Sequence, residues 1–245
     1  MDANGCISVD TIGVSNTSGP ALSFSVTNVT CNSFCDGTAT VTATGDGPPW
    51  IYFWAFQSQT TQTATGLCFI DNPFWIQVTD TNGCITVADT NITEPLAIVA
   101  NPTVINATCF GQCDGSITTS ATGGTGALTY SWSTTPVQTT TSITGQCSGN
   151  YTLTITDANG CVLTTTLTIG ENTILTSTVT STNDSCNASC VGTATMNVSG
   201  GTLPYTYSWC NGQTTSTATG LCAGTCTIIV TDAIGCTRID SAIIT

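Results

Sequence analysis

Gly192-Thr193-Ala194-Thr195-Met196-Asn197-Val198 alternates small or apolar residues with polar ones. Successive side chains of a strand point to opposite faces, so Ala194, Met196 and Val198 share one face and Thr193, Thr195 and Asn197 the other. The same period of two recurs in Tyr151-Thr152-Leu153-Thr154-Ile155 and, with aromatic residues, in Tyr205-Thr206-Tyr207-Ser208-Trp209. Gly200-Gly201 and Asp157-Ala158-Asn159-Gly160 break these runs as turns, since Gly and Asn tolerate positive φ. No segment carries a helical period. Six or seven short strands fit into each stretch of about 77 residues, which reads as an antiparallel sandwich of immunoglobulin type.

Outward from that stretch the chain repeats itself. The unit is Cys-x3-Cys, a Gly/Pro turn, an aromatic strand, a Thr run, Gly-x-Cys, a strand and Asp-x-x-Gly-Cys. Its copies use Cys31, Cys35, Cys68 and Cys84, then Cys109, Cys113, Cys147 and Cys161, then Cys186, Cys190, Cys222 and Cys236, at a spacing of 75 to 79 residues. Asp2-Ala3-Asn4-Gly5-Cys6 matches Asp157-Ala158-Asn159-Gly160-Cys161. Residues 1–16 are therefore expected to be the last strand of a preceding repeat, followed by copies at 17–94, 95–171 and 172–245. No secretion signal leads into that first strand, so the natural start is expected further upstream.

Composition narrows the function. Of 245 residues one is Lys or Arg (Arg238), 14 are Asp or Glu and none is His, for a net charge of -13. A nucleic-acid surface needs clustered positive charge, so that partner is excluded. Without His or Lys the usual general bases and Schiff-base amines are missing, and an enzyme is not expected. No run approaches the ~20 apolar residues of a membrane span. With 6% charged residues and 55 threonines, the polar surface is mostly hydroxyl, and β-branched Thr suits the outward face of a sheet.

Fifteen Cys in such a chain point to an oxidising, extracellular compartment. A small sandwich buries a modest core, and a bridge closing about 54 residues, as Cys31 to Cys84 would, contributes roughly 4 kcal/mol in the chain-entropy model. The third copy adds Cys210 and Cys226, which read as an extra bridge; Cys6 would look to the preceding repeat for its partner. Connectivity of the other cysteines stays open on spacing alone.

Gly200-Gly201-Thr202-Leu203-Pro204-Tyr205-Thr206-Tyr207-Ser208-Trp209, with Thr219-Gly220-Leu221-Cys222-Ala223-Gly224-Thr225 and Thr231-Asp232-Ala233-Ile234-Gly235-Cys236, resembles the SprB-type repeat of Bacteroidetes surface adhesins. The second copy matches through Gly123-Gly124, Tyr130-Ser131-Trp132 and Thr156-Asp157-Ala158-Asn159-Gly160-Cys161. The resemblance implies a very long cell-surface protein, exported by the type IX route and serving gliding motility, attachment or extracellular fibres. It also implies pairing of Cys31 with Cys84, Cys109 with Cys161 and Cys186 with Cys236. Cys35 with Cys68, Cys113 with Cys147 and Cys190 with Cys222 then remain. The expected architecture is all-β: tandem immunoglobulin-like antiparallel β-sandwich repeats, disulfide-stapled, as beads on a rod.

The first copy departs from its siblings, with Trp50-Ile51-Tyr52-Phe53-Trp54-Ala55-Phe56 and then Phe69-Ile70-Asp71-Asn72-Pro73-Phe74-Trp75. If Trp50, Tyr52 and Trp54 point inward, Ile51 and Phe53 point outward, as does Trp75 on its own strand. Ile51, Phe53, Phe56, Phe69 and Trp75 are the candidate partner-contact residues, because contiguous exposed apolar surface marks contacts. The plainer alternative is local repacking around the residues inserted in this copy.

Other motifs carry less. Asp80-x-Asn82-Gly83 and Asp157-x-Asn159-Gly160 resemble the start of a calcium loop but lack its downstream Glu, and read as hairpin turns. Cys-x3-Cys lacks the His and nearby cysteines of a zinc site, so no metal and no cofactor is expected. Asn91-Ile92-Thr93 and Asn106-Ala107-Thr108 are glycosylation sequons of the kind a Thr-rich chain produces by chance. Asp10-Thr11-Ile12 and Asp240-Ser241-Ala242 resemble the O-glycosylation motif of Bacteroidetes exported proteins. Two function classes follow. One is an extracellular structural segment of a bacterial surface adhesin or filament, whose partners are neighbouring repeats or chains of the same protein. The other is an adhesin module that binds glycans, surface polymers or proteins through the first copy.

Overall fold

The computed structural model describes residues 19–45, 47–183 and 190–245. The expected leading strand with Cys6, the Asp10-Thr11-Ile12 motif and Cys186 lie outside them. The described chain is nearly all β, in six three-stranded sheets whose pairings are all antiparallel. It divides into two compact units. The first holds the described residues up to Ala97 with Gly123–Gly126 and Ala158–Cys161; the second holds Ile98–Thr122, Ala127–Asp157 and Val162–Thr245.

In the first unit, β1 (Ala21–Thr27), β2 (Gly37–Thr44) and β4 (Thr63–Leu67) form one sheet in the order β1-β2-β4. β3 (Ile51–Trp54), β5 (Phe74–Thr79) and β6 (Ile85–Thr90) form another, in the order β3-β5-β6. The alternating apolar residues of both sheets meet in one core: Ala39, Val41, Ala64 and Leu67 from one side, Trp54, Phe74, Ile76 and Val78 from the other. That is a sandwich, built by period-two patterning on two facing sheets.

The second unit contains the same arrangement twice. β7 (Val99–Ile105), β8 (Gly115–Thr122) and β10 (Ser142–Gln146) face β9 (Thr129–Trp132), β11 (Gly149–Thr156) and β12 (Val162–Ile169) across Ile117, Trp132, Ile143, Leu153 and Ile155. β13 (Thr176–Thr182), β14 (Gly192–Ser199) and β16 (Thr217–Leu221) face β15 (Thr206–Trp209), β17 (Gly224–Thr231) and β18 (Thr237–Ile244) across Ala194, Met196, Trp209, Leu221, Ile228 and Val230. The aromatic strand of each copy ends in a buried Trp. Its indole N–H needs an acceptor, and a backbone carbonyl of the Thr run supplies one: Trp54 donates to Thr61 at 3.0 Å, Trp132 to Thr140 at 2.9 Å and Trp209 to Thr215 at 2.8 Å.

The strands run between two ends of each sandwich, and this corrects three expected disulfides. In the first copy the Asp80–Cys84 corner lies at the end of the β2–β3 turn, where Thr81 N–H donates to Gly47 O at 3.1 Å. The Cys31–Cys35 loop lies at the other end, with Ser33 N–H donating to Glu94 Oε2 at 2.8 Å. A six-residue strand such as β5 separates the ends by roughly 20 Å, and a disulfide spans Cα atoms only about 4.4–6.8 Å apart. Cys31 is therefore bonded not to Cys84 but to Cys161, and Cys109 not to Cys161 but to Cys236, each at a Cα separation of 5.6 Å. Cys236 is thereby removed from Cys186. The remaining bridges close within a copy: Cys35–Cys68, Cys113–Cys147, Cys190–Cys222 and Cys210–Cys226.

Candidate functional site

Two features go beyond what a sandwich needs for itself: the joints between consecutive copies and the outer face of β3-β5-β6. The joint in the first unit unites the Cys31 loop and residues after β6 with two turns of the next copy. Cys31 is bonded to Cys161, whose Sγ lies 3.3 Å from Thr30 O. Gly124 N–H donates to Leu96 O at 2.8 Å, and Ala158 N–H to Thr125 O at 3.0 Å. Gly123 has φ +82°, and a Cβ there would lie 1.9 Å from Ala97 O, so the connecting backbone passes over a position only glycine can occupy.

The second unit builds the same joint from equivalent residues. Cys109 is bonded to Cys236, whose Sγ lies 3.5 Å from Thr108 O. Gly201 N–H donates to Thr173 O at 3.2 Å and Ala233 N–H to Thr202 O at 2.9 Å. Gly200, at φ +76°, would place a Cβ 1.9 Å from Ile174 O. The Gly-Gly pairs, legible in the sequence as turns, are also the surfaces on which the chain joining two copies rests.

Carboxylates brace these loops, and backbone N–H groups use them up. Asp80 Oδ1 accepts from Asn82 and Cys84, both at 2.8 Å. Asp232 Oδ1 accepts from Ile234 at 3.1 Å and Cys236 at 2.8 Å, while its Oδ2 accepts from Thr202 at 2.9 Å. Burial alone would raise the Asp232 pKa, but the N–H groups of Thr202, Cys236, Ile234 and Gly235 hold it below the ordinary carboxylate value. At the opposite end Asp36 accepts from the hydroxyl and N–H of Thr30, and Asp114 from those of Thr108; these bonds lower both carboxyl pKa values. Glu94 and Glu171 take the N–H of Ser33 and Gly111, each at 2.8 Å. The Asp-x-x-Gly corners thus work as turns whose Asp caps its own loop.

The aromatic residues of the first copy separate into three places. Ile51, Phe53 and Trp75 are exposed on the outer face of β3-β5-β6. In register Phe53 opposes Gln77, and Trp75 opposes Asp89, so Trp75 lies diagonally beside Phe53 on that face. Phe56 is corrected: it is half-buried against the core and meets Phe74 edge-on at 5.3 Å, because the chain turns inward after β3. Phe69 lies apart, lining a cleft of about 340 Å³ with Phe34, Ile70 and the Cys35–Cys68 bridge. Ile85 and Val87, both 56% exposed, extend the outer face along β6. Sequence reading passed over them, although Ile85-Thr86-Val87 carries the same alternation. The equivalent positions of the second copy are Thr129, Ser131, Thr152, Val162 and Thr164, so this face is otherwise mostly hydroxyl.

Two stretches, 101–136 and 178–214, match the family model of the SprB repeat, and the chain carries SprB-type repeats there. No curated protein matches the sequence. Among solved structures, the three N-terminal domains of the bacteriophage RB49 highly immunogenic outer capsid protein align at 16% identity over 91% of this chain and 97% of that one, with TM-score 0.43. A structure concerned with host cell surface retention of a 1.5-MDa bacterial ice-binding adhesin aligns at 15% identity over 92% and 97%, with TM-score 0.38. Immunoglobulin domains 1–5 of Sidekick-1 align at 14% over 95% and 60%, with TM-score 0.35.

Proposed function

We propose that this chain is a non-catalytic structural segment of an extracellular or cell-surface adhesin, a stalk or filament building block whose partners are further copies of the same repeat. The observation that carries the reading is the joint, built twice from the same parts: a cystine between copies, a glycine beneath the connecting backbone and an Asp-capped corner. A module evolved around a ligand has no need to lock itself covalently to its neighbour, whereas a load-bearing array does. The SprB repeat matches fit a surface adhesin repeat. No helix among the described residues is long and apolar enough to cross a membrane. Small-angle scattering from the isolated chain tests the reading. A maximum dimension on the order of 100 Å or more, from three sandwiches each about 35 Å long, is expected; a compact particle contradicts it.

A second reading has its own observation. In the first copy alone the exposed Ile51, Phe53 and Trp75 stand where the other copies have Thr or Ser, beside Ile85 and Val87, whose positions hold Val162 in the second copy and Ile239 in the third; this favours a carbohydrate- or protein-binding role for the first copy. Glycan binding by the monomeric chain, abolished by Trp75→Thr, would support it. Burial of the same face against another chain would instead make it part of the assembly.

A further inference from the structure

The cystines that join copies interlock along the sequence. Cys31–Cys161 closes 130 residues and Cys109–Cys236 closes 127, and each bridge has one end inside the span that the other closes. We propose that these two bridges form a covalent bypass that keeps most strands of the array out of the load path, so that pulling on the intact chain can draw out only β1, β11 and β18. The proposal rests on the stalk reading, because a bypass matters only in a chain under load.

The route follows from connectivity alone. Tension arriving at Cys31 crosses at once to Cys161. From Cys161 the chain leads back to Cys147, which is bonded to Cys113, and from there to Cys109, which is bonded to Cys236. Fourteen residues separate Cys161 from Cys147 and four separate Cys113 from Cys109. These short segments and three disulfides become taut before any longer route does. The strands β2 to β6 of the first sandwich, β7 to β10 and β12 of the second and β13 to β17 of the third lie on longer parallel routes and bear no sustained load, whereas β1, β11 and β18 lie on the short one. A β-sandwich pulled by its ends yields at a rate set by its unfolding barrier; here every strand off the short route can be stretched out only after a covalent bond breaks.

Pairing within copies would behave differently. With Cys31 bonded to Cys84, Cys109 to Cys161 and Cys186 to Cys236, the load would run through β1, β6, β7, β12, β13 and β18 and through the chain that joins the copies. The observed pattern instead makes the bridge itself the joint.

Single-molecule pulling on the full oxidised chain through handles at its two termini decides between them. At about 3.5 Å per residue and with the cystine crossings included, the bypass limits the extended length to no more than about 215 Å, whereas within-copy pairing gives about 330 Å and full reduction about 850 Å. Reductant added to the folded protein should therefore lengthen the chain about fourfold. The Cys31→Ser, Cys161→Ser double variant should extend under oxidising conditions to about 300 Å. An oxidised wild-type length of 330 Å or more, or a double variant no longer than wild type, overturns the proposal. The stalk reading fails on a different readout, a compact particle in scattering, whatever the pulling length.

Discussion

At Gly200 a methyl group would lie 1.9 Å from the carbonyl oxygen of Ile174, on a backbone with φ +76°. Gly212 has a similar φ of +80° but nothing within 4 Å of its ideal Cβ. Gly212→Ala should therefore cost only the strain of a left-handed residue, about 1 kcal/mol, while Gly200→Ala should cost about 3 kcal/mol, read by chemical denaturation. Equal losses would mean that the joint does not press on Gly200. Thr119 is a second local test. It is 3% exposed on β8, and among the described residues its hydroxyl has no hydrogen-bond partner. The first and third copies have Val41 and Met196 at that position, both in the core. Thr119→Val should stabilise the second sandwich by about 1–2 kcal/mol, because an unmet buried hydroxyl is removed without changing shape. The corner Asp residues set the pH response. Asp232 has a folded pKa below its unfolded value, as do Asp36 and Asp114. Their contribution to stability is complete above the unfolded carboxylate range, near pH 4, and is lost as pH falls through the folded values. Asp232→Asn should flatten the decline of unfolding free energy between about pH 4 and pH 2; an unchanged slope would remove Asp232 from the account.

Among the elements, β3, β5 and β6 of the first copy depart most from their siblings. Their inner faces follow the common pattern, with Trp54, Phe74, Ile76 and Val78 buried, and that much is legible from alternation. The outer face was legible for Ile51, Phe53 and Trp75 for the same reason. Phe56 was misread because alternation holds only while the strand lasts; β3 ends at Trp54, and beyond it the chain folds over the core edge. Phe69 lies likewise in a short turn outside any strand. Restoring the hydroxyl face of the second copy with Ile51→Thr, Phe53→Ser and Trp75→Thr should leave stability within about 1 kcal/mol, since these side chains are about half exposed or more. It should abolish any concentration-dependent association seen by sedimentation velocity. Association that persists in the triple variant would place the contact elsewhere.

For the molecule as a whole, the repeated all-β unit could be read from spacing, because Cys, Gly and Asp punctuate every copy at matching positions. The direction of each bridge could not. Parity makes a copy with four cysteines look self-sufficient, and loop-entropy arguments favour any long bridge about equally: closing 130 residues contributes about 5 kcal/mol, closing about 54 roughly 4. What decides is which end of the sandwich each cysteine occupies, and that depends on counting strands between Cys31 and Cys84 correctly through the short β3 and β4. Covalent linkage between copies distinguishes this array from separate sandwiches on a thread. It is tested most directly by mapping peptides from the unreduced protein, cut with pepsin because Arg238 is the only tryptic site. Cross-linked fragments joining Cys31 to Cys161 and Cys109 to Cys236 are expected; fragments joining Cys31 to Cys84 and Cys109 to Cys161 would rule out the covalent joint.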